Sequence, residues 1–372
     1  MTETAEQQQE PTLQERFRAA LPTANRSLPA SLPQSPAEVL AGLAAEAAKL
    51  DAPQEWDRYG ARGPVAVLEA TVADLLGKPA AAMFVSGIMA QQSVLRVWTD
   101  RQSSRRIALP ALSHLLEHEL DGPRMLNGFR YEHLTAGPAV PLAADLAVIP
   151  GPLGAALLEL PLRDAGYLLP TWDQLREFAA AARERGVPLH LDGARLWESA
   201  PYLGHGLDEI AGLADSVYVS FYKGLGGLAG AVVAGPQDVV DEARRWRARH
   251  GGTVFTMLPY ALSGLRGLRT LLPRMGEFHE RAGALAAALE VEGFRVFPNP
   301  PHTNAFRIYA DRPEAVVNER IVRCLEEEGV VLLPPVRAGE MPGTSWSEFA
   351  VGAATMEWEV GEAAAALAGL LG

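Results

Sequence analysis

Val187-Pro188-Leu189-His190-Leu191-Asp192-Gly193-Ala194-Arg195 and, further on, Ser216-Val217-Tyr218-Val219-Ser220-Phe221-Tyr222-Lys223-Gly224-Leu225-Gly226-Gly227 decide the fold. Each opens as a short apolar run and closes on a charged residue followed by glycine. Apolar runs of this length, bounded by turn residues, read as strands covered on both faces, the kind found in parallel sheets. Each strand delivers one charge to its C-terminal end, where open α/β sheets keep their ligand chemistry.

Working outward, apolar periodicity alternates strand and helix. Helices are expected over 36–50 and over 64–76, the second opened by Pro64 and closed by Gly77. A strand over 80–85 turns at Ser86-Gly87 into a helix over 88–98. A strand over 106–109 precedes a helix from His114 with Ser113 as its cap. A strand over 157–160 precedes an amphipathic helix over 170–185, with Leu175, Phe178, Ala179 and Ala182 inward. Beyond Lys223 come a strand over 230–234 and helices over 238–249 and 258–272. This alternation predicts an α/β domain of three layers with a mostly parallel sheet. A further helix over 276–292 and short strands over 295–297, 305–309, 330–333 and 349–351, with a last helix over 357–371, predict a small α/β domain. The expected division is an N-terminal tail and extended arm over 1–35, a large domain over 36–272 and a small C-terminal domain over 273–372. Pro22, Pro29, Pro33 and Pro36 break regular structure in the arm.

Composition narrows the function classes. The 372 residues are 48% hydrophobic and 21% charged, enough for a large core in two domains. A formal net charge of -12 with interspersed signs offers no basic stripe, so neither nucleic acid nor an anionic membrane is expected as a partner. The single cysteine, Cys324, excludes an intrachain disulfide and a thiolate zinc cluster, and a cytoplasmic location is expected. Met1–Glu10 carries no apolar segment of the signal-peptide kind, and no apolar run approaches the ~20 residues that span a bilayer. His114, Glu117 and His118 have H-x-x-E-H spacing, but no third ligand accompanies them and no metal is expected.

The chemistry is read from the strand ends. An amine and a carboxylate there are the minimal equipment for pyridoxal phosphate: a lysine to bond its aldehyde and an acid to hold its ring nitrogen protonated. Lys223 follows an apolar strand, and burial disfavours an ammonium and frees the amine. The glycines behind it let backbone pass close beneath a flat ring. Asp192 is the acid for the ring nitrogen. Arg195 is placed to reach the ring oxygen or a substrate carboxylate in bidentate fashion. Ser86-Gly87, between strand and helix, exposes the first N–H groups of the helix to a phosphate.

Leu189-His-Leu-Asp-Gly-Ala-Arg-Leu-Trp197, Ala214-Asp-Ser-Val217, Lys223-Gly-Leu-Gly226, Trp246-Arg247 and Gly251-Gly252 together resemble the low-specificity L-threonine aldolase branch of the β-eliminating lyase family. The resemblance runs from about Asp57 to the C-terminus and is strongest over 186–235. It implies a fold-type-I pyridoxal-phosphate-dependent transferase-like architecture, with active sites at a homodimer interface and usually a homotetramer. It implies that Gly87 and Ile88 bind the phosphate through backbone N–H groups, although Ile88 stands where the family has threonine. It implies that His114 stacks on the ring beside the reacting bond, and that Tyr59, in Trp56-Asp57-Arg58-Tyr59-Gly60, lies near the cofactor. Ser27 falls in a segment that weakly resembles the family's substrate-contacting one.

Departures gather on the substrate side. Leu162 stands where the family has a histidine that meets the substrate hydroxyl, and Phe255 where it has an arginine. The family's carboxylate-binding arginine falls at about Ser347 or Glu348; Arg163, Arg26 and Arg337 are the substitutes at hand. The expected activity is retro-aldol Cα–Cβ cleavage of a β-hydroxy-α-amino acid to glycine and an aldehyde, with Lys223 and His114 catalytic. Two alternatives stay open: β-elimination or transaminase-like chemistry on another amino acid, and a catalytically silent protein that keeps the pyridoxal-phosphate fold.

Overall fold

The computed structural model describes residues 11–50 and 55–372. The expected tail over 1–12 therefore lies almost wholly outside the described residues. Two compact units divide the chain, one over 37–279, the other joining the segment through Pro36 to 280–372.

The larger unit is built on a seven-stranded sheet. Its strands are β1 (Ala80–Phe84), β2 (Arg106–Leu109), β3 (Arg130–His133), β4 (Ala155–Glu159), β5 (Leu189–Gly193), β6 (Ser216–Ser220) and β7 (Ala231–Gly235). The spatial order is β1-β7-β6-β5-β4-β2-β3. β7 runs antiparallel to both of its neighbours, and the other pairings are parallel. All residues of β1, β4, β5, β6 and β7 are buried, which is why they read as unbroken apolar runs rather than alternating ones. Helix α1 (Gly87–Arg101) packs against β1, β6, β7 and the helix Gln237–Arg249, contributing Val94, Leu95, Val97 and Trp98 to the core.

Three details differ from expectation. β3 was not foreseen; Arg130-Tyr-Glu-His133 is an edge strand, and its polar residues hide the strand pattern. Ser113 holds the cap position before His114, but its Oγ is buried without a hydrogen bond, and that helix is only His114–Glu117. The N-terminal arm begins with the short helix that residues 12–18 suggest, and adds a strand pairing that was not expected. Leu13–Ala20 is a helix with a Thr12–Glu15 capping box, and Arg26–Ser27 pairs in parallel with Val330–Val331.

In the smaller unit an antiparallel sheet runs Arg337–Ala338, Ser345–Ala350, Ala305–Ala310, Arg295–Phe297. Phe306 and Phe349 stack in its core at 5.5 Å. Among the described residues, no helix is long and apolar enough to cross a membrane.

Candidate active site

The C-terminal ends of β4, β5 and β6 carry the titratable groups. Parallel register sets Glu159 beside Asp192, and Asp192 beside Tyr218. Lys223 follows β6 on a segment fixed from behind. Gly227 donates to Phe221 O at 2.7 Å, and Leu228 N–H donates to Ser263 Oγ at 3.0 Å. The helix Leu258–Thr270 turns Gly264 and Gly267 toward this segment. A Cβ at Gly267 would stand 2.8 Å from Leu225 Cβ, so only glycine permits the approach. Burial, then the Arg195 charge, pushes the Lys223 amine below its ordinary pKa; Asp192, Glu159 and Glu198 pull the other way. Lys223 and Asp192 therefore lie within electrostatic reach of one another.

Glu159 is buried and accepts the His114 N–H at 2.9 Å and the Arg163 N–H at 3.3 Å. Burial, then the neighbouring Asp192 charge, pushes its carboxyl up to about 7. His114 opens its short helix with Nδ1 3.4 Å from Glu119 Oε1. Glu119 Oε2 accepts from Gln92 Nε2 at 3.1 Å, and Gln92 Oε1 accepts from Asn127 Nδ2 at 3.0 Å. The Glu119 contact raises the His114 pKa against the opposing effect of burial; Asp192 adds to the rise and Lys223 reduces it. Burial pushes the Glu119 carboxyl itself upward.

α1 begins at Gly87. Ser86 Oγ takes the Met89 N–H at 3.2 Å and Ser86 O the Ala90 N–H at 3.1 Å, while the N–H groups of Gly87 and Ile88 have no partner among the described residues. A Cβ on Gly87 would collide with the Tyr218 hydroxyl and lie 3.2 Å from that of Tyr222. The Arg195 guanidinium stands 5.3 Å over the Tyr167 ring. Next to it, Glu198 is a buried carboxyl pushed up by burial and drawn down by Arg195 and Lys223; its Oε2 has no hydrogen-bond partner.

Lys223, Asp192, His114 and Arg195 are thus brought into one electrostatic group, with Gly87 held close to Tyr218. The remaining expected site residues make other contacts. Tyr59 is 59% exposed and meets Phe255 edge-on at 5.5 Å. Its neighbour Asp57 is buried and ties this segment down by accepting from Thr256 Oγ1 at 2.6 Å and Met257 N at 2.8 Å. Arg163 reaches Glu159 through its backbone. Ser27 belongs to the smaller unit, where its Oγ donates to Pro29 O at 3.0 Å. Glu348, also there, faces Arg307 across the antiparallel pair. The imidazole of His118 lies 2.7 Å from Asp164, with its ring centroid 5.1 Å from that of His114.

Sequence reasoning missed Gln91, Glu119, Glu159, His190 as a bonded group, Glu198 and Tyr218. Glu159 ends a buried strand just as Asp192 does, and that parallel was available. Glu119 lies five residues past His114, across the break of a one-turn helix, and only the folded chain brings it back.

The profile of the β-eliminating lyase family matches residues 42–312. The chain belongs to the β-eliminating lyase family, whose members are pyridoxal-phosphate-dependent lyases. Among its relatives, aldolase vrtJ of Penicillium aethiopicum is 33% identical over 71% of this chain and 69% of that protein. Low-specificity L-threonine aldolase 1 of Arabidopsis thaliana is 27% identical over 72% of this chain and 77% of its own. A crystal structure from Listeria monocytogenes, provisionally named an L-allo-threonine aldolase, superposes with a TM-score of 0.88 at 32% identity, covering 97% of this chain and 99% of that one.

Proposed function

We propose that the protein cleaves the Cα–Cβ bond of a β-hydroxy-α-amino acid to glycine and an aldehyde, using pyridoxal phosphate. The observation that carries this reading is the meeting of a pKa-lowered Lys223 with Asp192 at adjacent strand ends. The residues present suit the cofactor. Gly87 and Ile88 offer unpaired N–H groups at a helix N-terminus to its phosphate, and the close approach of the Tyr218 hydroxyl leaves no room for a Cβ at Gly87. Lys223 would hold the aldehyde, Asp192 would accept the N–H of the ring nitrogen, and Arg195 would bind the ring oxygen or the substrate carboxylate.

Bound there, the cofactor draws off the electron pair released at Cα. His114, steadied at Nδ1 by Glu119, takes the β-hydroxyl proton at Nε2 as the Cα–Cβ bond breaks. Its ring would also stack on the cofactor. Exposed Trp56, Tyr59, Ile88 and Phe255 support assembly as a homodimer or homotetramer, which sedimentation would measure.

The test is an amino-acid panel with product analysis. Glycine plus aldehyde supports the reading, whereas a keto acid from every substrate refutes it. Borohydride reduction and peptide mapping should find the cofactor on Lys223, and label on another lysine overturns the assignment. A second reading, elimination or amino transfer on another amino acid, is favoured by Leu162, which is buried at a position where the resemblance expects a histidine.

A further inference from the structure

Behind Asp192 runs a buried chain of hydrogen bonds. Trp98 Nε1 lies 2.8 Å from Ser216 Oγ, Ser216 Oγ 2.9 Å from His190 Nδ1, and His190 Nε2 2.8 Å from Gln91 Oε1. Gln91 Nε2 then donates to Asp192 Oδ2 in a short contact. All five residues are buried. The other carboxylate oxygen, Oδ1, accepts the Ala194 N–H at 3.0 Å.

The direction of the chain is fixed from both ends. An indole N–H can only donate and a carboxylate can only accept. Ser216 therefore receives from Trp98 and passes its own hydrogen to His190 Nδ1. The imidazole is neutral, since burial pushes its pKa down to about 3, and so its single N–H sits on Nε2 and points at the amide oxygen of Gln91. That leaves the amide NH2 for Asp192. Half a turn of the amide would aim oxygen at carboxylate and NH2 at N–H, replacing two attractive contacts with two repulsive ones.

We propose that Gln91 is a positioning residue for the cofactor, locked in one amide orientation by the Trp98–Ser216–His190 relay so that Asp192 presents its carboxylate to the ring nitrogen. This rests on the assignment of Asp192 made above. Gln91 bonds His190 on one side and Asp192 on the other, and its effect on the cofactor passes through that carboxylate.

Gln91→Met keeps the bulk and removes the donor. Cofactor affinity is measured on the reconstituted full-length protein, for this variant and wild type, each with Asp192 and with Asp192→Asn. The expected result is a loss of about tenfold or more, or about 1.4 kcal/mol, with Asp192 present, and less than about twofold in the Asp192→Asn background. The 15N resonance of isotopically labelled ring nitrogen in the bound cofactor should move toward its unprotonated position. Ser216→Ala, a smaller change at the far end of the relay, should move the same resonance in the same direction and serves if Gln91→Met does not fold. Equal losses in both backgrounds, or an unmoved resonance, overturn the relay as a positioning device. If Asp192→Asn weakens binding while Gln91→Met does not, the relay fails and the assignment of Asp192 stands. If Asp192→Asn binds as wild type does, both fall.

Discussion

Replacing Glu159 by Gln should flatten the pH dependence of stability between about pH 5 and 8. In the folded chain the carboxyl titrates at about 7 against an ordinary value of 4.5. The folded state therefore binds this proton more tightly than the unfolded state. The resulting contribution to stability is fully present below pH 4.5, shrinks as the unfolded chain ionises, and is lost as pH rises through 7. At 1.36 kcal/mol per unit, a difference of roughly 2.5 units corresponds to about 3 kcal/mol. The cause is structural: β4 and β5 set the two carboxyls side by side, both are buried, and Glu159 is offered only two backbone N–H groups.

The assay is urea unfolding of cofactor-free protein at several pH values, for wild type and Glu159→Gln. Gln accepts one N–H with its amide oxygen but turns NH2 toward the other, which costs about 1–3 kcal/mol at every pH. Only the change with pH is therefore diagnostic. Wild-type stability should fall relative to the variant by about 2.5 kcal/mol from pH 5 to 8, since part of the contribution is already lost at pH 5. Parallel profiles would refute the reasoning, for they would mean that Glu159 ionises as freely in the fold as in the open chain.

Gly87→Ala puts a methyl group against the Tyr218 hydroxyl and should lower cofactor affinity at least tenfold, measured by equilibrium absorption titration. Gly267→Ala presses on Leu225 and should destabilise the protein by about 1–3 kcal/mol in urea unfolding while disturbing the Lys223 segment. Glu119→Gln removes the main cause of the raised His114 pKa, so an NMR titration of that imidazole should shift to lower pH. An unchanged or higher value would place the cause elsewhere.

Much of the scaffold was legible because the sheet is buried on both faces. β4, β5, β6 and β7 are continuous apolar runs, and the ends of two of them announce Asp192 and Lys223. β3 escaped because an edge strand does not need apolar residues on both faces, and Arg130-Tyr-Glu-His133 has few to show. The antiparallel course of β7 escaped because strand direction leaves no mark in a five-residue apolar run. The residues that shape Asp192 and His114 escaped for a third reason. Gln91 and Gln92 are adjacent polar residues on one helix, which reads as a solvated face. Helical geometry instead sends the first to Asp192 and the second to Glu119, and both are buried.

That divergence bears on how the site works. Two neighbouring glutamines on the first turns of α1 serve two separate acids, while Gly87 at the start of the same helix leaves its N–H groups to an anion. One rigid element thus joins the free N–H groups at its start, the Asp192 carboxylate through Gln91 and, through Gln92 and Glu119, the His114 imidazole. A helix of this length, packed on β1, β6 and β7, moves as a unit, so a displacement at any one of these points displaces the others. Leu162 and Phe255, which the family resemblance assigns to the substrate side, lie off this element, one buried in the loop after β4 and the other exposed near Tyr59. A change at either position leaves this helix and the groups it holds in place, so the two sets of positions are free to vary separately.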